Sequence, residues 1–147
     1  AGIKYVVSLT GLQGRWQQVC DSPRVILDTG HNQAGIENVT RQLAQQKYNR
    51  LRIVFGMVED KDPALVLSLL PKDAVYYFTA ANSNRSLRPE LLINRAAEFE
   101  LQGCAFGSVK DAVNQAVEDA ETDDLVFVGG SNFVVGEALK PFDKKNK

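Results

Sequence analysis

The residues best suited to chemistry crowd into one short run of the chain. Asp28, Gly30 and His31, the only histidine, lie within positions 28–32, directly after an apolar segment. Asp28 could hold a hydroxyl group or a cation, and His31 could stack on a base or hydrogen-bond a phosphate or carboxylate. Asn32 is better explained as a helix cap. The residues alone leave one alternative open, in which Asp28 only satisfies the turn and His31 is an exposed bystander.

A second run, Gly129, Gly130 and Ser131, also follows an apolar segment. Paired glycines let the backbone approach an anion closely, and a serine adds a hydroxyl donor at the start of a helix. A tight strand-to-helix turn with an N-terminal cap explains the same residues and is the commoner use of such a pair.

Charged residues mark two other places. Arg15 stands between a glycine and a tryptophan, where its planar guanidinium could bind two phosphate oxygens; a surface arginine beside a packed ring is the alternative. Asp60 and Lys61 belong either to a solvated loop or to the edge of a site. Asp62 precedes a proline and is best explained as a helix start.

Several catalytic motifs are absent from the sequence. It contains no GxxxxGK[ST], no GxGxxG after an early strand, no GxSxG, and neither a histidine pair nor a cysteine–histidine cluster. The chain therefore cannot cradle a triphosphate as a P-loop does. Cys20 and Cys104 are far apart and lie in β-like segments, so we expect two buried free thiols. Any catalysis needs residues from elsewhere.

Apolar runs rich in Val, Ile and Phe alternate with segments of helical period, which predicts a Rossmann-like three-layer α/β sandwich with a mostly parallel six-stranded sheet. The predicted strands are 16–20, 25–27, 51–55, 74–78, 104–106 and 125–128. The predicted helices are 33–46, 63–70, 89–101, 109–120 and 133–139. Ligands of such sheets bind beyond the carboxyl ends of the strands, so we expect the loops after strands two, three, four and six to form one edge.

Composition limits the classes of function. The chain has 147 residues, 44% of them hydrophobic, which suits one domain with one substantial core. Its formal net charge is -1, so no overall field gathers nucleic acid or an anionic membrane. No apolar run approaches the roughly 20 residues of a membrane span, and no signal peptide is evident. We expect a monomeric cytoplasmic protein whose sequence looks truncated at the N-terminus.

Four runs together resemble a known family. They are LQGRWQ at 12–17, VILDTGHN at 25–32, VFGM at 54–57 followed by DKD at 60–62, and VFVGGS at 126–131. Their order and spacing are similar to the C-terminal domain of folylpolyglutamate and dihydrofolate synthases, in the Mur-type ligase superfamily. The resemblance covers essentially the whole chain, with residues 1–12 as the end of an interdomain linker or helix and 13–147 as the domain.

The resemblance implies a ligase that uses ATP and Mg²⁺ to activate a folate or dihydropteroate carboxylate as an acyl phosphate, and then joins L-glutamate to it. It implies that Arg15 and Asp28 contact ATP, that His31 lies by the nucleotide or the glutamate, and that Ser131 helps to hold glutamate. The P-loop ATPase domain would precede this chain in the same polypeptide, and the fragment alone would be inactive. Losing Arg15 or Asp28 would lower turnover while the domain stays folded.

Other classes remain as alternatives at this stage. Glutamines at 13 and 33 replace the prolines usual in the family, which leaves the role of His31 open between nucleotide and glutamate. A cell-wall Mur ligase is the nearest competitor, although Phe55-Gly56 with the acidic–basic run at 60–62 favours the folate branch. A receiver-like phosphoacceptor domain and a non-catalytic interaction module are the more distant alternatives.

Overall fold

A computed structural model describes residues 16–21, 23–59 and 63–144, with side chains described up to residue 139. The strands are β1 (Gln17–Asp21), β2 (Arg24–Asp28), β3 (Leu51–Phe55), β4 (Val75–Phe78), β5 (Gly103–Ala105) and β6 (Leu125–Gly129). The helices are α1 (Gln33–Ala44), α2 (Pro63–Leu67), α3 (Pro89–Ala97), α4 (Val109–Asp119) and α5 (Asn132–Lys144). None of the helices in these ranges is long and apolar enough to cross a bilayer.

The six strands form one sheet in the order β1-β2-β6-β3-β4-β5. All neighbouring pairs are parallel except β1 with β2, which are antiparallel. The last strand, β6, therefore lies between two strands that come early in the chain. The predicted mostly parallel six-stranded sheet is confirmed.

Helices cover both faces of the sheet. On one face, α1, α2 and α3 bury apolar side chains such as Val39, Leu67 and Leu92 against the sheet. On the other face, α4 and α5 do the same with residues such as Val113 and Val134. Alternate side chains of each strand supply both cores, as the pleat requires. The three-layer architecture is confirmed.

Several element ends, and the burial of one cysteine, differ from the prediction. Helix α2 ends at Leu67, because residues 68–70 tighten into turns in which Leu69 N donates to Val66 O at 3.0 Å and Leu70 N to Leu67 O at 3.3 Å. Helix α5 continues to Lys144. The prediction of a buried Cys104 was wrong, because β5 is a short edge strand whose three residues are all exposed; Cys20 is buried as expected.

A series of hydrogen-bonded polar side chains crosses the face of the sheet that α4 covers. The Tyr77 hydroxyl accepts from Arg52 Nη1 and donates to Asp119 Oδ2, both at 2.9 Å. Arg52 Nε also contacts Asp124 Oδ2 at 3.2 Å. Burial lowers the pKa of Arg52, but the bonds with Tyr77 and Asp124 outweigh this and raise it overall. This chain of bonds fastens α4 to the sheet.

The buried tyrosines make stability depend on alkaline pH. Burial raises the pKa of both Tyr76 and Tyr77 above the ordinary 10.0. Above pH 10 the unfolded chain loses these protons first, so the stability that the tyrosines contribute is complete below pH 10 and falls as pH rises. Between the pKa of the unfolded chain and that of the folded protein, we expect each tyrosine to contribute a loss of up to about 1.4 kcal/mol per pH unit. Urea unfolding of Tyr77→Phe between pH 9 and 11 should show a shallower decline than wild type, whereas the exposed control Tyr48→Phe should match wild type.

Candidate functional site

The carboxyl ends of four strands lie level at one edge of the sheet. Asp28 pairs in register with Gly129, Gly129 with Phe55, and Phe55 with Phe78. Backbone bonds continue this row into the loops, since Gly56 N donates to Gly129 O at 3.3 Å and the residue after Phe78 donates to Phe55 O at 2.9 Å. The loops expected to share an edge therefore begin side by side.

Asp28 is buried at the end of β2, with 3% of its surface exposed. Its Oδ1 accepts from Gly30 N at 2.7 Å, and its Oδ2 accepts from Trp16 N at 3.0 Å. Trp16 has a φ of 49°, in the left-handed region that a bulky residue adopts only when its surroundings hold it there. The carboxylate thus ties the entrance of β1 to the loop after β2. Asp28 does satisfy the turn, and each oxygen keeps a further acceptor position.

His31 and Asn32 lie where this loop meets α1. Asn32 Oδ1 accepts from Gly35 N at 2.8 Å, so the predicted helix cap is confirmed. His31 Nδ1 is 3.0 Å from Thr29 O. Because a carbonyl oxygen only accepts, Nδ1 carries the hydrogen in this contact and Nε2 is the nitrogen available to a ligand. His31 is half-buried and lies beside open space.

That open space is a groove of about 360 Å³, lined by residues 28–32 and by Ala34, Gly35 and Asn38 of α1. A Cβ on Gly30 would lie 3.1 Å from Gly35 O, and one on Gly35 would lie 3.0 Å from the Gly30 Cα. The lack of side chains at both positions lets the loop and the helix start approach each other closely. The volume falls at the low end of small-molecule sites. The groove is lined by backbone groups, by the Asp28 carboxylate and by the His31 imidazole.

The turn after β6 is equally close-packed. Gly130 has a φ of 108°, and a Cβ there would lie 2.1 Å from Gly56 O. Ser131, 4% exposed, caps α5 because its Oγ accepts from Val134 N at 3.1 Å. The cap interpretation of this serine is confirmed, and its hydroxyl hydrogen can still be donated to another group. Ser131 lies two residues beyond Gly129, which pairs with Asp28 in the sheet.

The loop between β4 and α3 adds side chains that the sequence prediction did not select. Asn82 N donates to the Glu137 carboxylate of α5 at 2.6 Å, and the Arg85 guanidinium lies 6.0 Å from the centre of the Phe133 ring. Phe133 is two residues beyond Ser131, so Arg85 lies at the rim of the same edge. A basic residue in a loop after a strand could have drawn attention to Arg85. Nothing in the sequence distinguishes Glu137 from any other helical glutamate.

Not every predicted site residue can be placed. Asp28, His31 and Ser131 belong to the carboxyl edge. Arg15, Asp60 and Lys61 lie outside the described residues, as does the expected helix end in 1–12. Within residues 16–21, 23–59 and 63–144, no group of three or more His, Cys, Asp or Glu side chains could hold a metal ion.

A larger depression of about 1110 Å³ lies at the opposite edge, between the loops that precede β3, β4 and β5. Its rim includes the exposed ion pair of Lys72 with Glu100, at 3.3 Å. Ligands of parallel sheets bind at the carboxyl ends of strands, where helix starts point their free N–H groups. We therefore assign the site to the smaller groove and its neighbouring loops.

The mostly parallel sheet and the helices on both its faces define a Rossmann-like α/β domain. More particularly, the chain belongs to the Mur ligase, glutamate ligase domain family, whose model matches residues 14–132. It is 36% identical over 137 residues to the dihydrofolate synthase/folylpolyglutamate synthase of Escherichia coli K12, covering 91% of this chain and 31% of that protein. It corresponds to the C-terminal domain of such synthases.

Solved structures of such synthases are also similar to this chain. The E. coli FolC protein in complex with DHPP and ADP superposes with a TM-score of 0.83 at 34% identity, covering 92% of this chain and 32% of that one. The bifunctional folylpolyglutamate synthase/dihydrofolate synthase of Yersinia pestis, complexed with AMPPNP and Mn, gives 0.79 at 31% identity, with 92% and 32% coverage. The chain thus spans about a third of the length of these relatives.

The comparisons also separate the alternatives. Ligases from Caldanaerobacter subterraneus and Listeria monocytogenes that act with 2,6-diaminopimelate in the cell-wall branch are matched at 24% to 28% identity. The folate-branch enzyme of E. coli is matched at 36%. The sequence is therefore more similar to the folate branch, and the family assignment decides against a receiver domain.

Proposed function

We propose that this chain is the C-terminal part of an ATP-dependent ligase that adds L-glutamate to folate or dihydropteroate. The observation that carries the proposal is the level row at the carboxyl edge, where Asp28, the His31 groove and Ser131 begin side by side. Relatives with the same fold are folylpolyglutamate and dihydrofolate synthases.

The reaction would proceed in two transfers. The γ-phosphoryl group of ATP passes to the acceptor carboxylate, giving an acyl phosphate and ADP. The amine of glutamate then attacks the acyl carbon, so that an amide bond forms, inorganic phosphate leaves and the amine gives up a proton. Both steps develop charge on oxygen, which fixed hydrogen-bond donors and cations stabilise.

ATP fits the groove beside Asp28 for chemical reasons. The free acceptor positions of the Asp28 carboxylate suit the hydroxyl groups of a ribose. His31 Nε2 can meet the nucleotide or the incoming glutamate. We assign Arg15 to the phosphates, because its guanidinium matches two oxygens at once, and Asp60 and Lys61 to the rim of the site.

Glutamate binding is assigned to the Ser131 turn. The hydroxyl hydrogen of Ser131 and the first N–H groups of α5 are donors suited to a carboxylate. Mg²⁺ would supply charge neutralisation on the phosphates, and we place its ligands on a preceding P-loop ATPase domain of the same polypeptide. We further propose a monomeric cytoplasmic enzyme.

A matched pair of serine variants tests the glutamate assignment. Ser131 and Ser108 both cap a helix, and in each case Oγ accepts a backbone N–H at 3.1 Å. Replacing either by alanine should therefore cost about 1 kcal/mol of stability. Only Ser131→Ala in the full-length enzyme should raise the KM for glutamate, by about tenfold, as expected for one lost hydrogen bond to a charged group. Equal KM values for the two variants would remove Ser131 from the glutamate site.

The function as a whole is tested by assay of the full-length enzyme. ADP release that requires both glutamate and either dihydropteroate or a reduced folate is the expected result, and the acceptor preference separates the two synthase activities. The 147-residue chain alone should give no turnover. Turnover with a nucleotide-linked muramyl peptide instead of folates would contradict the proposal.

A further inference from the structure

The loop at residues 79–88 bridges the two helical faces of the domain. On the α2 side, Glu59 N donates to Arg85 O at 2.7 Å and Leu87 N to Met57 O at 2.8 Å. Val58 and Ser86 form an isolated antiparallel bridge beside them. These bonds are all between backbone groups, and they fix one side of the loop to the segment that follows β3.

The same loop is folded on itself at its tip. Ser83 N donates to Ala81 O at 2.8 Å, and Ser86 Oγ donates to the same carbonyl at 2.8 Å. Arg85 N donates to Ser83 Oγ at 3.2 Å. The segment from 81 to 86 is therefore a turn closed by its own hydrogen bonds, which couple the positions of its residues.

On the α5 side, one side chain provides the hydrogen bond. The Glu137 carboxylate accepts from Asn82 N at 2.6 Å, a short bond to a charged acceptor and hence a strong one. The Arg85 guanidinium lies 6.0 Å from the centre of the Phe133 ring, at the distance where a cation and an aromatic face attract each other. Glu137 and Phe133 are one helical turn apart on α5, so both contacts hold the loop against the same surface.

We propose that Glu137 is a positioning residue, which acts through Asn82 to hold Arg85 at the rim of the carboxyl edge. This inference rests on the proposed function and deepens it. The Arg85 cation lies near the ring of Phe133, which is two residues beyond Ser131, and its role is to meet an anionic group of a substrate. That group is either a carboxylate of glutamate or a phosphate of ATP, because both are oxyanions that a guanidinium binds.

The variants are made in the full-length enzyme. Glu137→Ala removes the acceptor, whereas Glu137→Gln keeps a carbonyl acceptor without the charge and should restore most of the loss. Glu118→Ala is the matched control, since Glu118 is a helical glutamate too, although more exposed, and lies at the far end of α4, at the opposite edge. Glu137→Ala should raise the KM for one anionic substrate about tenfold and change kcat less.

A double variant separates positioning from mere stabilisation. If Glu137 acts through Arg85, adding Glu137→Ala to Arg85→Ala should change the KM no further. A rise confined to glutamate identifies a carboxylate partner, and a rise confined to ATP identifies a phosphate. Additive effects, or a lowered Tm with both KM values unchanged, would overturn the inference.

Hydrogen exchange of the full-length protein gives a readout independent of activity. Glu137→Ala should speed exchange of the amides in 80–86 about tenfold and leave α4 unchanged, because the loop loses its bond to α5. Unchanged exchange in 80–86 overturns the inference whatever the kinetics. An enzyme with no ligase turnover would instead overturn the proposed function, and binding of ATP and glutamate measured by calorimetry in the same variants would then judge Glu137.

Discussion

Replacing Gly130 by alanine is expected to destabilise the domain by about 3 kcal/mol or more and to lower its Tm on the order of 10 °C. The φ of 108° is strained for any residue with a side chain. A Cβ would also lie 2.1 Å from Gly56 O, a backbone atom that cannot swing away. Because Gly130 and Gly56 belong to adjacent loops of the site, relief of this clash would separate them.

The control for this prediction lies six residues further along the same segment. Gly136 is exposed in α5, and a Cβ there would meet nothing within 4 Å. Gly136→Ala should therefore stabilise the protein by up to about 1 kcal/mol, since alanine favours a helix over glycine. Thermal unfolding followed by circular dichroism measures both. A Gly130→Ala protein that melts with wild type would mean that this turn does not need its left-handed conformation.

Replacing Asp28 by alanine is expected to lower kcat/KM for ATP on the order of 100-fold, because misplaced contacts at a reacting centre cost about that much. It should also cost about 2 to 4 kcal/mol of stability, since the N–H groups of Trp16 and Gly30 both lose their acceptor. The family resemblance alone implied a loss of turnover with the fold unaffected. The two backbone bonds predict both losses together.

Two further variants divide the roles of this carboxylate. Asp28→Asn keeps one acceptor oxygen but turns an NH₂ group toward the second backbone N–H, so it should recover only part of the stability. Asp21→Ala is the control, because Asp21 is an exposed residue at the far end of the β1–β2 hairpin, where its carboxylate accepts from Gln18 Nε2 at 3.3 Å. Urea unfolding and initial rates at varied ATP are the measurements. An Asp28→Ala enzyme with normal kinetics would exclude Asp28 from the ATP site.

Much of the fold followed from hydrophobic pattern. Buried strands such as β3 and β6 are unbroken apolar runs, and α1 repeats its apolar residues at helical spacing, so type and order were both predictable. The carboxyl edge followed as well, because parallel strands bring the loops after them together. For Asn32 and Ser131, local chemistry sufficed, since a polar side chain before a helix start bonds to that helix.

Other features depend on contacts between distant parts of the chain. Cys104 looks like a core residue in its own segment, and only the sheet order makes β5 an edge strand. The bond from Trp16 N to Asp28 spans 12 positions, and that from Asn82 N to Glu137 spans 55. Periodicity carries no information about such pairs, so the double duty of Asp28 and the role of Glu137 became visible only in three dimensions.

The central position of β6 has a consequence for the order of events during synthesis. Strands β2 and β3 carry the Asp28 and Gly56 loops, yet neither pairs with the other, and β6 bonds to both. A nascent chain that has emerged only through β5 has every groove residue but no middle strand to align them. The binding edge therefore forms last, and a protein shortened before residue 125 would keep helices α1 to α4 but lose β6, α5 and the site altogether.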